Sequence, residues 1–364
     1  MPNTQLEKCR HPQRRSRKDS EYKENDEHRK KHGVPHIAPK KSLGQNFLHD
    51  QNIARKIVNA VQVVADDIVV EIGPGEGVLT ALLLETGVCA LYAVEFDQRA
   101  VEYLARRFDG VPTLHLVQRD VLSVAIDELL HSNLVCDSAT SDSVSRQRAV
   151  SVVGNIPYYI TSDILLWLFE QFATSVSLSS CSSSCSSSSV ATAEKAGVDN
   201  GNDNDDNAKD WYLRRAVIMM QKEVAERLVA KPRTKEYGVL TVAAAFVCKP
   251  RLLFTVSPQC FFPRPNVQSA VVEFVFPASQ QERCLAATAL RTVQPLVRLA
   301  FQQRRKMLSN ALSGILGSSE TLSASDIAVQ AADRGISLQR RAEELSPSEF
   351  QRLYAFLREC GCLP

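Results

Sequence analysis

The chain has 364 residues, 44% hydrophobic and 23% charged, with 43 Lys+Arg against 41 Asp+Glu. That length holds one large domain and a small one; the ten cysteines are scattered without a C-x-x-C pair, which excludes both a disulfide-stapled secreted scaffold and the common zinc spacing. Charge is uneven: residues 1–41 carry twelve Lys/Arg and six Asp/Glu, a net of +6, so the remainder nets −4, and a basic arm ahead of a mildly acidic body suits a polyanionic partner.

In chain order, residues 1–39 have almost no apolar periodicity and read as an unstructured arm. Six acids and no apolar core make the arm unlike a transit or signal peptide. No run of about 18 apolar residues occurs either. A cytoplasmic protein without a membrane partner is therefore expected, an organelle being the alternative. Order is expected from Lys40, with a helix after Asp50 in which Ile53, Ile57, Val58 and Val61 recur at helical spacing. Strands and helices then alternate: strand Ile68 to Ile72, helix Val78 to Leu84, strand Ala90 to Val94, helix Arg99 to Phe108, strand Leu114 to Val117, strand Val150 to Val153, and a helix through Ile164, Leu165, Leu168 and Phe169. Such β-α-β alternation predicts an α/β fold with a parallel, doubly wound sheet, because parallel neighbours need crossover helices.

Two stretches interrupt the pattern. Residues 136–148 are polar and loop-like. Residues 174–210 are of low complexity, serine-rich and then Asp/Asn-rich, and read as a disordered surface insertion. Beyond it come the strand AVIMM after Arg215, the helix QKEVAERLVA, and strands around Leu252–Val256 and Ser269–Phe276 flanking SPQCFFPRPNVQ. The end of the chain is helix-like and contains the basic run RLAFQQRRKMLSNAL; it reads as a separate small helical domain.

Three strand ends carry candidate ligand groups. Glu71-Ile72-Gly73-Pro74-Gly75-Glu76-Gly77 follows a strand and opens a helix, where glycines permit a tight turn and close approach to a ligand beside free helix N–H groups. Its G-x-G-x-G spacing differs from the G-x-G-x-x-G of dinucleotide folds. Glu95 ends the second strand, where an acid grips a ribose, and Asp120 ends the third, where a carboxylate accepts from an adenine amino group. Each acid taken alone is more often a helix cap.

Asn155-Ile156-Pro157-Tyr158 closes the fourth strand. An exocyclic amine on a planar base is a poor nucleophile, since its lone pair is delocalised into the ring. A site that alkylates it needs acceptors for its two N–H bonds and a flat surface for the base. The Asn155 amide oxygen and the Pro157 carbonyl fit as acceptors and Tyr158 as the stacking face. The plainer alternative is a proline-stiffened strand exit with a core tyrosine.

These segments, together with KKSLGQNFLHD, MMQKEVAERLVAKPRTKEYGVLTV, CFFPRPNVQSAVVEF, AFQQRRKML and RAEELSPSEF, make the chain resemble the bacterial-type small-subunit ribosomal RNA adenine dimethyltransferases from about Lys40 to Leu357. The resemblance implies a Rossmann-like methyltransferase domain over 40–278, a small all-helical C-terminal domain over 279–364 and S-adenosyl-L-methionine as cofactor. The implied reaction gives N6,N6-dimethyladenine at two adjacent adenines near the 3′ end of small-subunit rRNA, with a part in subunit maturation. It further implies that Asn46, Leu48, Gly73, Gly75, Glu95, Asp120 and Asn155 contact the cofactor, with GQNFL as a lid. Asn155, Pro157, Tyr158 and Phe261 would then hold the target adenine, Phe261 covering its second face. The amine attacks the methyl group in line, without a covalent enzyme intermediate or a metal. Lys40, Lys41, Lys231, Arg233, Lys235, Arg304, Arg305 and Lys306 are candidate RNA contacts. Nothing points to an obligate interface, so a monomer is expected.

The serine-rich insertion and the long basic arm depart from the family pattern, which leaves partners and regulation open. Three other readings stand beside this one. A large-subunit rRNA adenine methyltransferase of the antibiotic-resistance type shares the lid and the N-I-P-Y motif. A binding-only assembly or transcription factor can occupy the same fold. A nicotinamide dehydrogenase is remote, because it leaves N-I-P-Y unexplained.

Overall fold

The computed structural model describes residues 36–133, 147–176, 211–319 and 322–363. The expectations for residues 1–35, for most of the 136–148 loop and for 177–210 of the serine-rich insertion lie outside the described residues.

A two-residue strand β1 (Phe47–Leu48) precedes helix α1 (Gln51–Val61), which Asp50 caps through the N–H groups of Asn52 and Ile53. Then follow β2 (Ile68–Ile72), α2 (Val78–Glu85), β3 (Ala90–Glu95), α3 (Gln98–Arg107), β4 (Leu114–Gln118), α4 (Ile126–Asn133), β5 (Arg148–Asn155) and α5 (Thr161–Thr174). Next come β6 (Trp211–Gln221), α6 (Lys222–Leu228), α7 (Val239–Val247), β7 (Lys249–Val256), β8 (Phe261–Phe262) and β9 (Ser269–Val275). The seven-stranded sheet runs in the order β4-β3-β2-β5-β6-β9-β7. The first five strands are parallel, and β9 runs antiparallel between β6 and β7, so that β7 at the edge points the same way as the first five. Every residue of β2 and β3 is buried, Glu71 and Glu95 near their carboxyl ends included, as befits the centre of a parallel sheet. The reversal of β9 follows from its short connection to β7, since a parallel return needs a longer crossover.

Two helices add to the elements expected from the sequence. Helix α7 reads VLTVAAAFV and is apolar almost all round, since it packs between the sheet and the later helices. Helix α4 is only about two turns long, with acids in its first turn.

The C-terminal helices are α8 (Gln280–Gln302), the single turns α9 (Leu308–Ala311) and α10 (Ser313–Leu316), α11 (Ala324–Asp333) and α12 (Pro347–Glu359). They do not close a core of their own. One continuous apolar cluster runs from Val70 and Val152 in the sheet through Leu165, Phe169 and Val242 to Val297, Phe350 and Leu357. The other face of the sheet is covered by α1 and α2, around Ile57, Val58, Leu83 and Val217.

The chain is already anchored before Lys40. Ile37 is buried and its N–H donates to Glu76 Oε1 (2.8 Å), the Ala38 carbonyl accepts from Arg99 Nη1 (2.9 Å), and His36 stacks on Tyr103. This end of the arm thus lies across α3 and the glycine turn, since Glu76 and Arg99 supply the partners its backbone needs. Among the described cysteines, five are free thiols and Cys284 is disulfide-bonded.

Candidate active site

The carboxyl ends of β2, β3, β4 and β5 open into one cavity of about 290 Å³, where ligands bind in open α/β sheets. Its walls hold Asn46, Leu48, Gly73, Gly75, Glu95, Asp120, Asn155, Pro157 and Tyr158, nine of the ten residues singled out from the sequence. Parallel register explains this convergence: Glu71, Glu95 and Asn155 end or nearly end adjacent strands, so their side chains meet although 84 positions of sequence separate the outermost two.

Gly73, Gly75 and Gly77 all adopt left-handed backbone, and a Cβ on Gly75 would sit 3.0 Å from the Phe47 ring. The lid therefore presses on a turn that only glycine fits. Glu95 is buried and accepts from the Gly75 N–H (3.1 Å) and the Asp97 N–H (2.9 Å); burial raises its carboxyl above the usual range. Asp120 caps the turn after β4 by accepting from the Leu122 N–H (3.0 Å) with one oxygen, and its other oxygen has no hydrogen-bond partner among the described residues. Both roles suggested for Asp120 are thus compatible: cap through one oxygen, ligand through the other.

Asn155 Nδ2 donates to the backbone carbonyl of Asn46 in the lid (3.0 Å). The amide is thereby oriented with its oxygen free for a donor. The Pro157 carbonyl accepts from Thr161 Oγ1 (3.2 Å) and keeps its second lone pair. Tyr158 is fixed by a 2.6 Å hydrogen bond between its hydroxyl and Ser269 Oγ; burial raises its phenol above the ordinary value, the hydrogen bond opposing in part.

Phe261 is placed differently from the expectation. Its side chain is 3% exposed and packs with Leu48, Met219 and Val271 beneath the lid, not on the cavity wall. Strand alternation is the reason: β8 pairs with β1, Leu48 opposite Phe261 and Phe47 opposite Phe262, so the first pair faces the core and the second faces away. In this conformation the ring offers no face to a bound base.

Sequence reasoning missed Phe96 and Leu122. Both line the cavity beside Glu95 and Asp120, and both are exposed large apolar side chains. A signal was present, because an aromatic directly after a strand-end acid stands where a solvent-facing loop would carry a polar residue.

Glu71 is wholly buried, accepts from Thr80 Oγ1 (2.7 Å), and is pushed up to about 7 by desolvation, with the nearby Glu95 charge adding to the rise. Between 4.5, its ordinary value, and about 7 the folded protein holds a proton that the unfolded chain has released. Stability contributed by this group therefore falls as pH rises through that window. Glu71→Gln is expected to raise stability on the order of 3 kcal/mol at about pH 8, and to bring no gain below pH 4.5. Thermal melts of both proteins across that range check this; a gain independent of pH would contradict it.

The donor set fits S-adenosyl-L-methionine. Buried Glu95 suits a ribose, Asp120 with Phe96 and Leu122 suits a flat heterocycle bearing an amino group, and the turn at Gly73 and Gly75 leaves backbone room for the methionine end. The cavity meets a lid that carries Asn46 and Leu48.

The family model described as Ribosomal RNA adenine dimethylase matches residues 38–359. The chain belongs to the ribosomal RNA adenine dimethylase family. Among its relatives, the Ribosomal RNA small subunit methyltransferase A of Prosthecochloris aestuarii is 37% identical over 323 residues, 88% of this chain and 95% of that one. The protein of the same name from Methylococcus capsulatus is 36% identical over 312 residues, covering 86% and 95%. Among solved structures, a dimethyladenosine transferase from Plasmodium falciparum aligns with a TM-score of 0.62 at 20% identity over 86% of this chain and 98% of that one. The 23S rRNA methyltransferase ErmE aligns with a TM-score of 0.53 at 21% identity over 86% and 100%. These structural matches establish the fold, an α/β methyltransferase sheet with a helical C-terminal region.

Proposed function

We propose that the protein transfers methyl groups from S-adenosyl-L-methionine to the N6 amino groups of two adjacent adenines near the 3′ end of small-subunit rRNA. The observation that carries this reading is the Asn155–Asn46 hydrogen bond, which joins the base-holding motif to the cofactor lid within one cavity. Curated relatives named for the small subunit, at 36–37% identity, favour it over the large-subunit alternative, which the fold match to ErmE at 21% identity represents.

The cofactor supplies an electrophilic methyl group on a sulfonium. The chain's residues do the rest by orientation. The Asn155 amide oxygen and the free lone pair of the Pro157 carbonyl draw the two amine N–H bonds into place, which turns the nitrogen lone pair out of the ring and toward the methyl. Tyr158, locked by Ser269, holds the base plane. Such positioning is worth several powers of ten in rate when the reacting atoms are aligned. No side chain needs to store a proton, because the amine becomes acidic once alkylated.

We propose the division at 278/279 as one of roles within a shared core: cofactor and base on the sheet, RNA backbone on the helices. Supporting it, Arg304 binds Glu343 (2.7 Å) and the Thr234 carbonyl (3.1 Å), and the Arg233 N–H donates to the Glu343 carbonyl (2.8 Å). Three distant segments are thus drawn into one surface on which Lys231, Lys235, Arg305 and Lys306 stand exposed without ion pairs among the described residues. Methyl transfer from labelled S-adenosyl-L-methionine to undermethylated small and large subunits, with nucleoside analysis, tests the reading. Dimethyladenine on the small subunit alone is the expected product. Label on large-subunit RNA would favour the resistance-type activity, and binding without transfer would leave an assembly factor.

A further inference from the structure

Among the described residues, three of the exposed large apolar side chains, Phe96, Leu122 and Tyr159, line this one cavity, and a fourth, Phe262, is paired with the cavity-lining Phe47. Phe96 and Leu122 lie at the cofactor end, as described above. The other two, Tyr159 and Phe262, are 63% and 40% exposed and have no part in the chemistry so far assigned. Isolated apolar exposure is unremarked on most surfaces, but rings gathered at the mouth of a site mark something that covers them.

Both rings are held against the lid, one on each side. At one end Gly44 takes left-handed backbone, and a Cβ there would lie 3.0 Å from Cδ1 of Tyr159. At the other end Phe262 pairs directly with Phe47. Directly opposed residues of an antiparallel pair present their side chains on the same face. Phe47 lines the cavity and presses on Gly75, so Phe262 stands beside it on the cavity side of the ribbon. Tyr158, in contrast, is turned inward to Ser269 while its neighbour Tyr159 remains outside.

Each ring also has an exposed cation close in sequence to the ring itself or to the glycine it packs on. Lys41 is exposed three residues before Gly44, and Arg264 is exposed two residues after Phe262. Neither makes a side-chain ion pair among the described residues. An exposed ring accompanied by an unpaired cation is the chemistry that binds single-stranded nucleic acid: the ring takes a base face and the cation takes the phosphate.

We propose that Tyr159 with Lys41 and Phe262 with Arg264 form two stacking stations for the nucleotides flanking the target adenine. The proposal rests on the reading of the cavity as an RNA adenine site. A base reaches that cavity only by leaving its stack, and its neighbours then lose a stacking partner. A ring on either side of the lid replaces what those neighbours lose and keeps the strand splayed across the entrance. With two adjacent targets, the station also holds one adenine while the other occupies the cavity.

The test uses the full chain and undermethylated small subunits. Tyr159→Ala and Phe262→Ala are each expected to weaken binding to the subunit roughly 10-fold, the loss of one stacked base, and to raise KM in step. Affinity for S-adenosyl-L-methionine stays within about twofold, since the rings lie outside its end of the cavity. Tyr159→Phe and Phe262→Tyr, which keep a ring, are expected to restore binding. Lys41→Ala and Arg264→Ala should each lower the slope of log affinity against log salt by about one. Alanine variants that bind as tightly as the unaltered protein would overturn the proposal, as would ring-retaining variants that fail as badly as alanine. Failure of the unaltered protein to bind or methylate RNA would instead overturn the underlying reading of the cavity.

Discussion

Asn155→Ala is expected to lower kcat/KM for methyl transfer by about 10²- to 10³-fold, the usual cost of removing one preorganised polar group from a reacting centre. The side chain does two things at once. Its Nδ2 holds the lid through the Asn46 carbonyl at 3.0 Å, and that bond fixes which way its oxygen points. Removing it takes away both the acceptor for the base and one anchor of the lid. Separate measurement of S-adenosyl-L-methionine affinity distinguishes the two effects. The expected pattern is a modest loss of cofactor affinity, up to about tenfold for one charge-free hydrogen bond, beneath a much larger loss of kcat. A fall confined to cofactor affinity, with kcat unchanged at saturation, would reduce Asn155 to a lid anchor.

Asp97→Ala should lower stability by about 2–4 kcal/mol, as expected when a helix cap and several charge-assisted hydrogen bonds to one buried carboxylate are removed together. Asp97 is almost fully buried and caps α3 through the Arg99 N–H. Its carboxylate also receives Arg99 Nη2 (2.6 Å), Gln45 Nε2 (2.9 Å) and Lys40 Nζ (3.5 Å). The Arg99 guanidinium, foremost among these, holds its carboxyl well below the usual carboxylate range. Gln45 belongs to the lid, so the same carboxylate ties the lid to the strand end that carries Glu95. Gln45→Ala isolates that tie: the cap and the ion pair remain, and cofactor dissociation is expected to quicken by about 5- to 10-fold with little change in melting temperature. Equal melting temperatures together with equal dissociation rates would show that the lid is held elsewhere. Because the Asp97 carboxyl is depressed, its contribution is present at neutral pH and is lost only as pH falls below its ordinary value of 3.8.

Much of this architecture was legible because local patterns and burial agree. Ile68–Ile72 reads as a buried strand and lies in the middle of the sheet, and the helix expected after Asp50 starts there, with Asp50 as its cap. Helix α7 was not legible. Its sequence has no polar face because nearly all of it is covered, with only Ala245 exposed, and periodicity arises only when one side meets water. The anchored segment before Lys40 was missed for another reason: Ile37 and Ala38 are held by Glu76 and Arg99, partners 39 and 61 positions away.

At the site, residue types and spacing by themselves pointed to many of the groups that line the cavity: glycines where a backbone must approach a ligand, acids at strand ends, and an amide before a proline and a tyrosine. These are local requirements of turn geometry and hydrogen bonding, so they are written locally. The tertiary structure alone decided which way each group points. The pairing of β1 with β8 sends Phe261 into the core and leaves Phe262 outside, the amide of Asn155 is oriented by a carbonyl 109 positions earlier, and the helices after residue 279 share the core of the sheet. Facing and partnership depend on strand register and on contacts between distant segments, and neither is a property of any short stretch of sequence.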